Sequence, residues 1–254
     1  MNILAISDLH EEFTYLERLP EVVRNAAVGA VMFTGNILRA EARRAEWERA
    51  HAERRSPRIN HPEVARERDD DAQSFNRFFR SLNALGVPVF LVPGKHDAPE
   101  RFFLQAAFNT EMVEPHIHMV HRNFARLDGS YVVAGFGGEI TAQTREHEFF
   151  LMYPGWEAEF ALDFLRHLEQ ERILLFHTAP AERLGNQEGD TGHQMVNHII
   201  NTYRPHFAIC ARTGDQRGKF LIGTTLVVCP GQLRQGDYAL LDTKERQVSF
   251  GDLR

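Results

Sequence analysis

The residues best suited to chemistry lie in four short polar clusters, each directly after an apolar run. The clusters are Asp8–His10, Asn36, Lys95–Asp97 and His177. Carboxylate and imidazole groups of this kind ligate divalent metal ions and transfer protons. In an extended segment residues i and i+2 point to the same side, so Asp8 and His10 could address one ion. The residue types and their spacing therefore predict metal-assisted or acid–base chemistry.

These clusters need a scaffold, and the apolar runs of the chain predict one. The runs are Ile3–Ser7, Ala30–Thr34, Val87–Val92, Tyr131–Ala134, Ile173–Phe176, Phe207–Cys210, Leu226–Cys229 and Tyr238–Leu241. Each has the length of a buried strand. Helical stretches at Tyr15–Ala27 and Phe75–Leu85 separate the early runs and predict βαβ units with a partly parallel sheet. Polar groups at the ends of neighbouring strands would then line one cleft, the usual ligand position in an open α/β sheet.

The segment from Arg39 to Asp71 departs from this rhythm because it is rich in charge and poor in apolar residues. It carries nine Arg and nine Asp or Glu, so its charges cancel. Charges at helical spacing predict a solvated helix over Arg39–Arg55, a break at Ser56-Pro57 and a second helix leading into Phe75. We expect one domain over residues 1–254 with a salt-bridged helical insertion at about 39–72. A lid or a homo-oligomer contact is the alternative role of this insertion.

Composition restricts the partners and the location of the protein. The 254 residues, 43% of them hydrophobic, suffice for one sizeable core. A net charge of -6 disfavours nucleic acid as a partner. Residues 1–8 lack the basic and long apolar regions of a secretory signal, and no apolar run reaches the roughly 18 residues of a membrane span. We therefore expect a cytoplasmic protein without membrane attachment, with Cys210 and Cys229 packed in the core.

The order of the polar clusters resembles the signature of calcineurin-like metallophosphoesterases, which reads D-x-H, G-D, G-N-H-D, H and G-H-x-H. The residues that match it directly are Asp8, His10, His96, Asp97 and His177. The resemblance extends over nearly the whole chain. The blocks Gly35–Leu38, Gly137–Glu139 and Tyr153–Trp156 further resemble a bacterial branch of the superfamily with eroded metal-binding motifs. This resemblance implies an α/β fold built as a four-layer α/β/β/α sandwich.

Three positions depart from that signature. Asn36 stands at the metal-bridging aspartate, Lys95 stands at the asparagine of the third motif, and Ala211–Gly214 replaces the closing G-H-x-H. No histidine follows His206, so both closing histidines are absent. Complete sites of this family hold two divalent cations, and an ammonium about 4 Å from a divalent ion costs about 8 kcal/mol at an effective dielectric of about 20. The altered signature therefore implies at most one divalent metal (Mn, Fe, Zn, Ni or Mg), or none.

The matched positions imply roles for individual residues of this chain. The expected metal ligands are Asp8, His10, Asn36 and His177. The expected catalytic pair is His96 and Asp97, with the carboxylate behind the imidazole setting its tautomer. The expected phosphate ligands are Lys95 and Arg212, which would stand in place of the second metal and hold an oxyanion.

Together these features predict a weak phosphoester hydrolase, a phosphodiesterase or phosphomonoesterase acting on a small phosphorylated substrate. The alternative is a non-catalytic protein of the same fold that binds phosphate or a nucleotide through Lys95, Arg212 and His96 without a metal. Other polar features are expected to be structural. The run Gly135–Gly138 is expected to form a turn. The histidines expected to be surface or capping residues are His116, His118, His193 and His198.

Overall fold

The computed structural model describes residues 1–181, 191–211 and 217–254 of the chain. Its strands are β1 (Asn2–Ile6), β2 (Val28–Phe33), β3 (Val89–Leu91), β4 (Ile117–Met119), β5 (Phe124–Arg126), β6 (Tyr131–Phe136), β7 (Glu139–Thr141), β8 (Met152–Pro154), β9 (Glu171–Phe176), β10 (Phe207–Cys210), β11 (Gly218–Ile222), β12 (Thr225–Cys229), β13 (Asp237–Asp242) and β14 (Gln247–Asp252). Its helices are α1 (Phe13–Leu16), α2 (Leu19–Asn25), α3 (Glu41–Ala52), α4 (Pro62–Asn83), α5 (Glu100–Val113), α6 (Gly155–Ala161) and α7 (Thr191–Tyr203), with short 3₁₀ helices at Asp163–His167 and Leu233–Gln235.

The first sheet places the early strands side by side. Its strand order is β14-β13-β1-β2-β3-β4. Strands β1 to β4 are parallel, whereas β13 and β14 join antiparallel at the other edge. Alternate residues of a strand face opposite sides, so Leu4 and Ile6 pack with helices α1, α2, α4 and α5 while Ile3 and Ala5 face the second sheet. The predicted parallel βαβ arrangement of this half is confirmed.

The second sheet has the order β11-β12-β10-β9-β6-β5, and its four central strands are parallel. Helix α7 packs its apolar residues Val196 and Ile199 against Leu174 and Phe176 of β9, which covers the outer face. Residues on the inner face, such as Ile173, pack against the first sheet. The layers therefore run helix, sheet, sheet, helix, and the predicted α/β/β/α sandwich is confirmed. All eight predicted runs are strands of these two sheets.

The charged insertion contains a helical hairpin formed by α3 and α4. Helix α4 begins at Pro62, which suits a first helical position, and its apolar residues recur at helical spacing toward the core under the first sheet. The expectation of solvated charges is wrong for Arg43, Glu46 and Asp71, which are buried. Arg43 pairs with Asp71, and Glu46 pairs with Arg55, so each buried charge has a partner. That the whole chain is one domain stays a prediction.

The loops that follow β2 and β3 lie against each other through two glycines. A Cβ atom added to Gly35 would lie 2.3 Å from Gly94 N, and one added to Gly94 would lie 2.1 Å from Asn36 N. Gly35 also has φ +100, which side chains rarely allow. The two loops are therefore held backbone against backbone, and they carry their polar residues at a fixed separation.

No helix within residues 1–181, 191–211 and 217–254 combines the length and the apolar character that crossing a membrane requires.

Candidate active site

The loop after β1 is joined to the loop after β2 by backbone hydrogen bonds. Asp8 N donates to Gly35 O and His10 N donates to Asn36 O, both at 2.9 Å. Asp8, His10 and Asn36 have φ values of 54, 46 and 63, so all three adopt the left-handed conformation that residues other than glycine rarely take. Asp8 and His10 do meet, with His10 Nε2 at 3.6 Å from Asp8 Oδ1. The expected extended segment is wrong, because left-handed turns bring them together.

Asn36 connects two parts of the site through its side-chain amide. Its Nδ2 donates to Asp8 Oδ1 at 2.8 Å, and its Oδ1 accepts from His96 N at 3.0 Å. The neighbours fix this orientation, because an ionised carboxylate only accepts hydrogen bonds and a backbone N–H only donates them. Both ends of the amide are therefore engaged, and its oxygen faces the backbone of His96.

Asp97 is fully buried where the same loops meet. Its Oδ1 accepts from Ile37 N at 2.7 Å and Leu38 N at 3.1 Å, and its Oδ2 accepts from Asn36 N at 3.0 Å and Gly94 N at 2.7 Å. Burial raises the pKa of Asp97, and the backbone N–H donors oppose that effect. These four bonds make the carboxylate a connector of the loops that follow β2 and β3.

The expected pairing of Asp97 with the His96 imidazole is not found. His96 Nδ1 is buried and has no hydrogen-bond partner among the described residues. The carboxylate of Asp97 is directed at the backbone, so in this structure it cannot set the imidazole tautomer. The physical reason is competition, because several buried N–H groups need an acceptor at this junction and Asp97 supplies it.

Three of the histidines that face the cleft follow the ends of β1, β3 and β9. His10 Nδ1 donates to Leu38 O at 3.1 Å, and His177 Nδ1 donates to Thr34 O at 2.8 Å. A carbonyl only accepts, so the neutral form of each ring carries its proton on Nδ1 and keeps a lone pair on Nε2. The His96 ring packs against the His10 ring with centroids 5.2 Å apart. Burial, assisted by the charges of His10 and His177, lowers the pKa of His96 to about 3, so its imidazole is neutral at pH 7.

Asp8 supplies a fixed negative charge beside these rings. The residue is only 5% exposed, and its Oδ2 accepts from Ser7 Oγ at 2.9 Å. Burial acts to raise the pKa of Asp8, but the bond to His10, the charge of His177 and the Asn36 amide outweigh it and hold the pKa below its ordinary value. Asp8 is therefore ionised at neutral pH.

A second carboxylate in the cleft belongs to Glu139 at the start of β7. Lys95 Nζ lies 2.7 Å from Glu139 Oε2, and both side chains are about one third exposed, at 32% and 37%. Lys95 Nζ also lies 5.4 Å from the centroid of the Phe150 ring. The sequence pattern indicated Asp8 as an acidic metal ligand but gave Glu139 no role in the site. A signal was available, because Glu139 directly follows the glycine turn after β6. The ion pair offsets the positive charge of Lys95, which would otherwise favour binding of an anion in the cleft.

These groups surround one cavity of about 280 Å³, which we call the cleft. Its polar lining includes Asp8, His10, Asn36, Lys95, His96, Glu139, His177 and His193. The structure thus brings together six of the eight predicted site residues. Asp97 lies behind the cleft, and Arg212 lies outside the described residues. His193 was expected at the surface or as a cap, but it lines the cleft from the first turn of α7, where its Nδ1 bonds to Ala179 O.

Comparison with known protein families gives a match over residues 1–253 to the metallophosphoesterases of the calcineurin superfamily. The chain belongs to this family. Metallophosphoesterases bind divalent metal ions and hydrolyse small phosphorylated substrates. Comparison with curated proteins gives no match.

Solved structures of other metallophosphoesterase-type proteins resemble this chain closely. One crystal structure is 34% identical in sequence and superposes with a TM-score of 0.90. The match covers 100% of this chain and 99% of the other chain. The crystal structure of TT1561 of Thermus thermophilus is 30% identical, with a TM-score of 0.82 and the same coverage of 100% and 99%. A dimetal phosphatase from Danio rerio is 11% identical over 94% of this chain and 91% of that one, with a TM-score of 0.63, which is a likeness of fold alone.

The expected metal ligands of this metallophosphoesterase line one cleft, and several of them are hydrogen-bonded to neighbouring protein groups. Within the described residues, no three side chains of His, Cys, Asp or Glu are placed to hold one metal ion. At the bridging position, Asn36 turns its nitrogen to Asp8 and its oxygen to the backbone of His96. The expected ligands Asp8, His10, Asn36 and His177 therefore line the same cleft without forming a complete metal site. Their roles as ligands stay predictions.

Proposed function

We propose that this chain is a phosphoester hydrolase with a reduced metal site and low turnover, acting on a small phosphorylated compound. The observation that supports the proposal is the convergence of Asp8, His10, His96 and His177 in one cavity. These residues come from loops at the carboxyl ends of β1 and β3 in one sheet and β9 in the other. Groups from several strand ends meeting in one cavity are the usual arrangement of ligand sites in α/β proteins.

The residues of the cleft suit a phosphoryl group. The ammonium of Lys95 is close enough to the cavity to contact a phosphoryl oxygen, and the neutral imidazole of His96 can donate a hydrogen bond to the same group. Asp8 and the Nε2 lone pair of His10 are the pair best suited to a cation. Because only one acid stands beside His10, we propose at most one divalent ion. We further propose a cytoplasmic location and the ability to form a homo-oligomer.

Hydrolysis of model phosphoesters tests the proposal. Purified protein is incubated with bis(p-nitrophenyl) phosphate and with p-nitrophenyl phosphate in Mn²⁺, Ni²⁺, Co²⁺ or Mg²⁺, and in chelator. We expect slow release of nitrophenol in at least one metal, reduced at least about tenfold by His96→Ala and by Asp8→Asn. The matched control is His198→Ala, which removes an exposed histidine outside the cleft. Absence of turnover under every condition would contradict the proposal.

A second candidate function is binding of a phosphate or nucleotide without catalysis. The observation that favours it is that Asn36 stands where a second acidic ligand would be needed. Both ends of its side-chain amide are hydrogen-bonded to protein groups, so Asp8 has no second carboxylate beside it to share a metal ion. This candidate predicts thermal stabilisation by phosphate or nucleotides that persists in chelator and disappears in Lys95→Ala. The hydrolase instead predicts turnover that chelator abolishes.

A further inference from the structure

A second cavity of about 280 Å³ adjoins the cleft. His10 and His96 line both cavities, so the two share a wall. Three arginines, Arg39, Arg44 and Arg234, also line this second space, which we call the arginine cavity. Neither the predicted site residues nor the family signature includes any of these arginines.

The three arginines come from different parts of the chain, and two are tied to the loop that carries Asp8 and His10. Arg39 Nε donates to His10 O at 2.8 Å. Arg234 N donates to Asp8 O at 3.1 Å, and its Nε donates to Gln232 Oε1 at 2.6 Å. Arg44 lies in the first turns of α3. The fold thus brings three separate segments together, and their arginine side chains line one cavity.

The charges of these arginines are not used in ion pairs within the part of the chain that the structure describes. Other arginines of the same hairpin do form such pairs, as Arg43 does with Asp71 and Arg55 does with Glu46. Glu12 and Glu41 also line the cavity. Neither lies within ion-pair distance of its arginines among the described residues, and a hydrogen bond from Thr14, with a smaller contribution from the charge of Arg39, lowers the pKa of Glu12. The three guanidinium groups are solvent-facing and keep N–H donors available.

The N-terminus of α3 lies beside the arginine cavity, but its backbone N–H groups are not the main candidates for binding an anion there. Among the first N–H groups of that helix, those of Ala42 and Arg43 already donate to the Glu67 carboxylate at 2.6 Å and 3.1 Å. An anion in the cavity would therefore be held by guanidinium side chains and not by the helix end. Guanidinium groups bind phosphate oxygens with paired, charge-assisted hydrogen bonds.

We propose that the arginine cavity binds a second phosphate group of the substrate while the phosphoryl group to be cleaved lies in the cleft. The substrate class is a compound with two linked phosphate groups, as in a nucleoside diphosphate. This inference rests on the proposed function, because it assumes that the cleft takes a phosphoryl group. The geometric basis of the inference is that the two cavities are adjacent at His10 and His96.

Calorimetric titration with inorganic pyrophosphate and inorganic phosphate tests the inference, in chelator so that no metal mediates binding. We expect the wild type to bind pyrophosphate at least about tenfold more tightly than phosphate, since each charge-assisted bond adds affinity. Arg44→Gln should weaken pyrophosphate binding about three- to tenfold, and Arg39→Gln with Arg44→Gln should bring the two affinities close together. Phosphate affinity should change less than about twofold in both variants.

The matched control is Arg66→Gln, which removes an exposed arginine of α4 that does not line the arginine cavity. It should leave both affinities unchanged. Equal affinity of the wild type for the two anions would overturn the inference, and so would an equal loss in Arg66→Gln and Arg44→Gln, which would indicate general charge attraction. If pyrophosphate binds as expected but no phosphoester is hydrolysed, the proposed hydrolase fails and the arginine cavity stands as a binding site.

Discussion

Arg43 Nη2 lies 3.3 Å from the carbonyl oxygen of His96, so the inserted hairpin contacts the cleft loop directly. The guanidinium is fully buried, with Asp71 at Nη1 and Glu67 Oε1 at 3.4 Å from Nε. Two carboxylates thus share one buried cation. The charged insertion is therefore part of the support of the cleft as well as a surface feature.

The first prediction concerns pH and Asp71. Burial raises the pKa of Asp71 to about 7. The charge of Arg43 and its hydrogen bond lower this pKa, and the charge of Glu67 raises it. In the unfolded chain an aspartate has a pKa of about 3.9, so the folded protein holds a proton that the unfolded chain releases between about pH 4 and pH 7. The free energy of unfolding should therefore fall as pH rises through this window, by at most about 4 kcal/mol from this group.

Urea unfolding at a series of pH values measures this slope. Asp71→Asn keeps an oxygen for Arg43 and should remove that part of the pH dependence. Asp70→Asn, at an exposed neighbour on the same helix, should retain it. A slope in Asp71→Asn equal to that of the wild type would show that Asp71 does not titrate in this range.

The second prediction concerns the missing acid at Asn36. Asn36→Asp would place a carboxylate at hydrogen-bond distance from Asp8, where the amide now lies at 2.8 Å. Two adjacent carboxylates repel each other unless a cation or a proton lies between them. We expect Mn²⁺ to bind at least about tenfold more tightly than in the wild type, and the metal-free variant to be less stable by about 1–3 kcal/mol. Calorimetry and unfolding in chelator measure the two effects.

Asn60→Asp is the matched control, because Asn60 is exposed in the connection between α3 and α4. It should change neither property. Unchanged Mn²⁺ affinity in Asn36→Asp would mean that the loss of the bridging acid is not what limits metal binding here.

The third prediction separates two roles of Asp97. Asp97→Asn leaves one acceptor oxygen and turns an NH₂ group toward backbone N–H groups that now donate to the carboxylate. We expect a loss of about 2–5 kcal/mol in the free energy of unfolding, because buried donors lose their acceptor. A role confined to the His96 imidazole would instead lower activity and leave stability near that of the Asp70→Asn control.

The fourth prediction concerns the ion pair of Lys95 and Glu139. Glu139→Gln removes the charge 2.7 Å from Lys95 Nζ and frees the ammonium for an anion. Phosphate should then bind about three- to tenfold more tightly, measured by calorimetry in chelator. Glu139→Gln combined with Lys95→Met should abolish that gain. A gain that persists in the double variant would assign the effect to general charge and not to Lys95.

The sequence predicted the strands well because apolar runs of strand length have few other ways to be buried, whereas the four-layer sandwich was implied by the resemblance to the family. It predicted Asp8, His10, His96 and His177 in one cleft because each lies shortly after the end of a strand. The sequence did not predict which groups pair inside the cleft. Asp97 accepts from four backbone N–H groups that belong to two loops, and Glu139 reaches Lys95 only through the packing of β7. Such pairings depend on long-range geometry that residue type and spacing do not encode.

The contact between Gly35 and Gly94 restricts how this cleft can change through evolution. Any side chain at either glycine would push the two loops apart, so these positions cannot contribute new functional groups. The neighbouring Lys95 and His96 also line the cleft and lie outside this glycine contact, so new functional groups are easier to introduce at these two positions. A cleft held in this way can acquire a different ligand preference by single substitutions while its frame stays the same.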